Sequence, residues 1–322
     1  MMLGQNEDSE QLALVKQKYG FDKPISNQYL YYINDLSPLS FHSHTPTHYT
    51  FLNENRYTAA KLFSIKDVTV VLKLPYLRES FTKQGKTVSS VLYETLPNTF
   101  VLAISAIIIA ILLGVIFGII SALFKDRWLD KTIQIFSTLG MSVPSFFSAI
   151  LFAWFFGYIL HKYTHLEMTG SLYELDDFGE GMHIKWKNLI LPAVVLGIRP
   201  LAVVIQLMRN SLLEVFNQDY IRTARAKGLS EFQIIKKHAL KNALNPVVTA
   251  ISGWFASMLA GAVFVEYIFS WNGLGKEIVN ALNTLDLPVI MGSVLIIAVL
   301  FIIINIFVDI IYVWLDPKVK LE

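Results

Sequence analysis

DYIRTARAKGLSEFQIIKKHALKNALNP, residues 219–246, is the most polar stretch in a C-terminal half otherwise built of apolar spans. It reads as two short helices joined at a glycine. Tyr220, Ile221 and Ala224 share one face of the first helix, and Arg222 and Arg225 lie off that face. Gly228 can take the left-handed conformation that ends a helix, directly after the basic Lys227. Ser230 offers an N-cap, and Gln233 three residues on completes a capping box. In the second helix Phe232, Ile235 and Ala239 form a stripe, Lys236, Lys237 and Lys241 lie largely elsewhere, and Pro246 is expected to stop the helix. Such an element is either a basic connection that fixes topology or a docking site for a cytoplasmic partner.

On both sides of it the chain is apolar. Five segments, 100–123, 133–160, 189–212, 247–269 and 289–314, are each long enough to cross a hydrocarbon core of about 30 Å at about 1.5 Å per residue. Gly140 and Pro144 interrupt the second, so its first turns are expected as a separate interfacial piece. With 54% hydrophobic and 16% charged residues and a mean hydropathy of +0.48, the composition is that of an integral membrane protein. The expected fold is therefore an all-α polytopic membrane protein with five transmembrane helices in this chain. A net charge of +2 leaves no broad basic surface for nucleic acid. The absence of cysteine excludes disulfides, thiolate metal sites and cysteine nucleophiles.

Charge sets the expected orientation. If 219–246 is cytoplasmic, the inner connections carry Lys125, Arg127 and Lys131, then Arg222, Arg225, Lys227, Lys236, Lys237 and Lys241, then Lys318 and Lys320. The outer ones carry Lys162, Lys185, Lys187 and Lys276. The positive-inside rule agrees, placing the C-terminus inside and residues 1–99 outside as a soluble, extracytoplasmic region. Residues 1–99 open with neither a basic n-region nor an apolar h-region, so nothing in them carries them across. A hydrophobic helix is accordingly expected upstream of Met1; the alternative is translocation driven by the 100–123 span. Within the region, 9–19 and 28–36 read as amphipathic helices, 68–74 as a strand, and 37–75 as an inserted subdomain.

The run Tyr220-Ile221-Arg222-Thr223-Ala224-Arg225-Ala226-Lys227-Gly228-Leu229 resembles the EAA loop of ABC-transporter permeases, in the wording of the B-type permease subunits of dipeptide and oligopeptide importers. In the general family a glutamate stands six residues before the glycine, where this chain has Arg222, a replacement familiar in the peptide-importer branch. The proline common at the loop's second end is Lys241, with Pro246 displaced downstream. Further matches follow in order: Lys18 to Ile25 with Gln28-Tyr29, Val88, Leu96-Pro97-Asn98-Thr99, Val143-Pro144-Ser145-Phe146 and Leu191-Pro192. Then come Glu266-Tyr267-Ile268-Phe269, Gly273-Leu274-Gly275, Asn280-Ala281-Leu282, and Asp309, Asp316 and Pro317. The resemblance covers 1–36 and 76–322. It implies a six-helix permease whose first helix precedes the matched segment, and a transmembrane permease domain over 100–322.

What the resemblance implies for function is an ATP-driven importer of dipeptides or oligopeptides in the cell inner membrane. Its partners would be a second homologous permease, two cytoplasmic ABC ATPases, an extracytoplasmic substrate-binding protein, the peptide and the lipid bilayer. ATP and magnesium would belong to the ATPases, and this chain would bind no cofactor. Tyr220, Ile221, Ala224, Phe232 and Ile235 would form the docking surface, Arg222 and Arg225 would meet the partner rim, and Gly228 and Ser230 would shape the turn. A permease for nickel or another small solute is the near alternative. An ion-driven secondary transporter is the distant one, and the internal repeats and midplane carboxylates it requires are not seen.

Chemistry of the chain's own is limited. Gly85-Lys86-Thr87 ends like a phosphate-binding loop, but Ser80 stands where the required glycine belongs. Arg199, near the middle of its span beside Pro200, and Glu266, toward the outer end of the next, are candidates for lining the translocation path or for structural pairing. His42, His44 and His48, and the pair His161 and His165, have metal-compatible spacing without a completing carboxylate or cysteine and are expected as surface histidines. No order of residues suggests a hydrolase or membrane protease, so the chain is expected to be a transport subunit and not an enzyme.

Overall fold

A computed structural model describes residues 20–45, 48–52, 59–175 and 181–315, with the chain forming two compact units. The expected helix over 9–19, the matches at Lys18-Tyr19 and at Asp316 and Pro317, and the side chain of Asp309 lie outside the described residues.

The first unit comprises the described parts of Met1–Tyr93 with Ala281–Gly292. Helix α1 (Ile25–Leu36) precedes strands β1 (Leu39–Ser43), β2 (Ala59–Ile65) and β3 (Val68–Lys73). They form an antiparallel sheet in the order β1-β3-β2, with Phe41 opposite Val70 and a bulge between Lys61 and Phe63. The expected strand near 68–74 is thus the central one. Pairing on both edges buries Thr69, Val70, Val71 and Lys73. A buried ammonium needs partners, and Lys73 Nζ donates to the Asp35 carbonyl. The Asp35 carboxylate meets Arg78 Nε at 2.8 Å, and the Arg78 guanidinium lies over the rings of Tyr32 and Tyr49. Asp286 accepts from the Ser80 hydroxyl, from the Thr82 hydroxyl at 2.8 Å and from the Phe81 and Thr82 amides, tying 80–82 to the turn before the last helix.

The second unit, Glu94–Asn280 with Ser293–Glu322, is helical apart from a short hairpin, β4 (Tyr173–Leu175) and β5 (Met182–Ile184). Helix α2 (Val88–Leu123) runs without a break through residue 99 and begins well before the expected start of the first span. Its 36 residues extend about 54 Å, more than the hydrocarbon core requires. The expected span over 133–160 is two helices, α3 (Trp128–Ser142) and Ser145–Ile159, bent by 110°. Val143 is extended, as a residue before proline prefers, and Pro144 supplies no amide to carry the helix across. Within the second piece α4 (Ser145–Phe152) passes into a π-helical segment, Ala153–Ile159, and α5 (His161–Thr164) follows.

Helix α6 (Lys187–Phe216) is the axis of this unit, since 67% of its most apolar window is buried, against 33% for α2 and 22% for the last span. Small residues let neighbours approach it: a methyl on Gly114 would sit 2.6 Å from Val204, and one on Gly197 would sit 2.9 Å from the Ala106 carbonyl. Packing through small residues is how helices associate in lipid, where apolar burial alone gives no drive. The expected span over 247–269 divides at Ala262 into α10 (Asn245–Gly261) and α11 (Val263–Ile268). Helices α12 (Leu274–Asn283) and α13 (Leu287–Leu315) complete the chain. By length and composition three helices, Val88–Leu123, Lys187–Phe216 and Leu287–Val308, can cross a membrane, and a fourth crossing results if the bent pair is one span.

Candidate functional site

The polar element between α6 and α10 is built as the sequence indicates, with one change of face. Helix α7 (Asp219–Ala226) buries Ile221 and Ala224. Gly228 has φ +78°, and a turn leads to α8 (Glu231–Ile234). Both halves of the capping box are present: the Gln233 amide donates to Ser230 Oγ and the Ser230 amide to Gln233 Oε1. A π-helical segment, Ile235–Ala239, then joins α8 to α9 (Leu240–Ala243), and Pro246 stands in the first turn of α10 instead of ending the helix. The wider turn moves the inward stripe to Ile234, Ile235, Ala239 and Ala243 and leaves Phe232 73% exposed. Five residues separate Ile234 from Ala239, which is one π turn.

Ile221, Ala224, Ile234, Ala239 and Ala243 pack with Ala122, Met208, Leu212, Val215 and Val247, and Ile235 is also buried. Of the five residues expected as a docking surface, Ile221, Ala224 and Ile235 therefore belong to the chain's own core, while Phe232 and Tyr220 remain outward. Around them Arg222 pairs with Asp219 at 3.3 Å and Arg225 with Glu231 at 3.0 Å, and Asn242 donates to the Tyr220 hydroxyl at 2.8 Å. Both arginines are thus oriented on the surface by local carboxylates, and Arg225 also lies near the Phe216 ring.

The two polar residues of the spans have different fates. Arg199 is exposed on α6 and lines a cavity at the α3–α4 bend. Glu266 has no solvent exposure in this chain. Its Oε1 accepts from Thr99 Oγ1 at 2.7 Å, and its Oε2 accepts from the amides of Gly275 at 2.6 Å and Lys276 at 3.2 Å. Those amides lie in the first turn of α12, where helical N–H groups lack acceptors and a carboxylate is favoured. The same knot is closed by the Trp271 indole donating to the Asn98 carbonyl, Asn98 Nδ2 to the Asn272 carbonyl and the Leu274 amide to Thr99 Oγ1. The Asn98-Thr99 and Gly273-Leu274-Gly275 stretches are two sides of one structure.

One polar centre escaped the reading of the sequence. Asp130, at the start of α3, accepts from Arg209 Nε at 2.8 Å and Nη2 at 2.7 Å, from the Ser121 hydroxyl and from the Asp126 amide. Seventy-nine residues separate the partners, and no local pattern reports such a pair. The histidines do not converge on a metal. His42 is buried between Ser40 Oγ and the Thr50 carbonyl, correcting its expected place on the surface; His44 meets Thr69, and His48 meets Thr50. His161 meets the Leu166 carbonyl. Among the described residues no group of three or more histidines and carboxylates is placed to hold a metal ion.

A family model described as the binding-protein-dependent transport system inner membrane component matches residues 114–321. The chain belongs to this family. Family membership makes it a multi-pass permease of the inner membrane, a transport component and not an enzyme, working with a substrate-binding protein and an ATPase. A Brucella suis protein named as a peptide permease is 40% identical over 244 residues, 76% of this chain and 75% of its own length. The dipeptide transport system permease protein DppB of Alkalihalophilus pseudofirmus is 36% identical over 251 residues, 74% and 75% of the two chains. Among solved structures, an inward-facing MetNI methionine ABC transporter superposes with a TM-score of 0.57 at 16% identity, over 71% of this chain and 97% of that one. This last likeness speaks for the permease fold.

Proposed function

We propose that this chain is the membrane-spanning permease subunit of an ATP-driven importer of dipeptides or oligopeptides. Likeness to named peptide permeases across three quarters of the chain carries this reading. The element at 219–246 supports it: its inner face is sealed into the chain's own core, and its outer face presents Phe232 and Tyr220 flanked by arginines. That arrangement suits a rigid lever docked on a cytoplasmic ATPase. The bent pair and the divided 247–269 segment each act as a crossing, giving five spans. The permease domain begins near residue 100, 1–99 is extracytoplasmic with a subdomain at 37–75, and the C-terminus is cytoplasmic. A second homologous permease completes the pathway, two ATPases hold ATP and magnesium, and this chain binds no cofactor of its own.

Purification of the tagged chain from its native membrane tests the reading. Two ATPases and a second permease should come with it, and Phe232→Asp should lose the ATPases while keeping the second permease. Recovery of the chain alone, with uptake driven by an ion gradient, would overturn it.

A further inference from the structure

Arg199 stands near the middle of α6, exposed in the chain, and makes no hydrogen bond or ion pair among the described residues. A guanidinium at such depth is costly unless it faces water or a counter-charge. Two other polar groups of the spans are already satisfied: Arg209 by Asp130, and Glu266 by Thr99 and two amides. Arg199 instead borders a cavity of about 90 Å³. A single water needs only about 10–15 Å³, so a small polar group and its hydration fit.

The walls of that cavity are rich in donors. Ser145, Ser148 and Ser257 line it beside Trp254, and none of the three hydroxyls is hydrogen-bonded among the described residues. Ser145 opens α4 immediately after Pro144, so the N-terminal end of that helix borders the cavity. Among the described residues no acidic side chain lines the cavity. A planar guanidinium fork with hydroxyls around it is the arrangement that holds a carboxylate through charge-assisted hydrogen bonds. The helix break that puts these groups together is the Val143-Pro144 bend.

We infer that Arg199, with Ser145, Ser148 and Ser257, forms a station for the C-terminal carboxylate of a peptide on the translocation path. The inference rests on the proposed peptide import and adds the substrate group recognised and the residues that recognise it. A lysine retains the charge and should hold the carboxylate less well without the fork; glutamine removes the charge and should not hold it.

Because the chain has no cysteine, Val143→Cys, at a residue that lines the cavity but is not one of the four, places a single thiol beside the station. In the purified assembly with its ATPases and second permease, labelling of that thiol is followed against added dialanine and its C-terminal amide. Dialanine should protect the thiol and the amide should do so poorly. Adding Arg199→Gln should raise the protecting concentration of dialanine by about tenfold or more, the worth of one hydrogen bond to a charged group, with Arg199→Lys intermediate. Equal protection by acid and amide, or an acid response unchanged in Arg199→Gln, overturns the station. So does a loss of both responses together, as when Arg199 pairs with an acidic residue of the second permease. Uptake by the assembly without these substitutions is read separately: its absence refutes peptide import, whereas uptake with no carboxylate discrimination refutes only the station.

Discussion

Glu266 illustrates how little a single residue's chemistry reveals before its partners are known. In the sequence it is an acid in an apolar run; in the structure it caps the first turn of α12 and holds Thr99. Replacing it with alanine leaves two amides and a hydroxyl buried without an acceptor, at about 1–3 kcal/mol for each group left unsatisfied. Thermal unfolding of the detergent-solubilised protein should report the loss as a lowered midpoint, and an unchanged midpoint would remove the capping role. His42 has the opposite history, since a residue expected at the surface is 1% exposed. Burial pushes its imidazole below the ordinary 6.5, the Thr50 carbonyl opposes this, and the nearby Lys73 charge adds to it. The folded unit therefore prefers the neutral ring while the unfolded chain takes up a proton near 6.5. The stability this contributes is present above about pH 6.5 and is lost as the pH falls below it. The protection factors of the Val70 and Val71 amides, with the intrinsic exchange rate divided out, should fall from about pH 7.5 to about pH 5, and His42→Gln should flatten that dependence.

At the scale of the element, the turn within 219–246 follows from its residues. A Cβ at Gly228 would meet nothing within 4 Å, so the cost of Gly228→Val is set chiefly by the backbone at φ +78°, about 1–2 kcal/mol. The variant should insert and assemble, hydrolyse ATP, and fail to couple hydrolysis to uptake; unchanged peptide uptake would refute the lever. Ser230→Ala removes half of a capping box and should cost about 1 kcal/mol of local stability, read as faster amide exchange at Gln233. The π segment at Ile235–Ala239 has no such local signal. Nothing in Lys236-Lys237-His238 demands it, and the shift is set by the fit of Ile234, Ala239 and Ala243 into the core they share with Met208 and Leu212.

For the molecule as a whole, the Asp130–Arg209 pair ties the α2–α3 connection to the C-terminal half of α6, ten residues before the polar element at 219–246 begins. Removing either partner alone leaves a buried charge and should cost about 3–5 kcal/mol, whereas Asp130→Leu with Arg209→Met should cost less than the sum. A double-mutant cycle on thermal unfolding measures the difference, and additivity would show the pair to be independent. The sequence by itself determined the membrane class, the break at Pro144, the turn at Gly228 and the cap at Ser230. These depend on apolar run length, on proline's missing amide and on contacts within four residues. It also carried the family resemblance that the matched family bears out. Only the tertiary structure decided that Ile221 and Ala224 face inward, that Glu266 is a cap, and that Asp130 and Arg209 meet. It likewise decided that Arg199 stands beside three serine hydroxyls at a helix bend. Each of these depends on which distant residue arrives opposite, and packing of whole helices, not local spacing, chooses that neighbour.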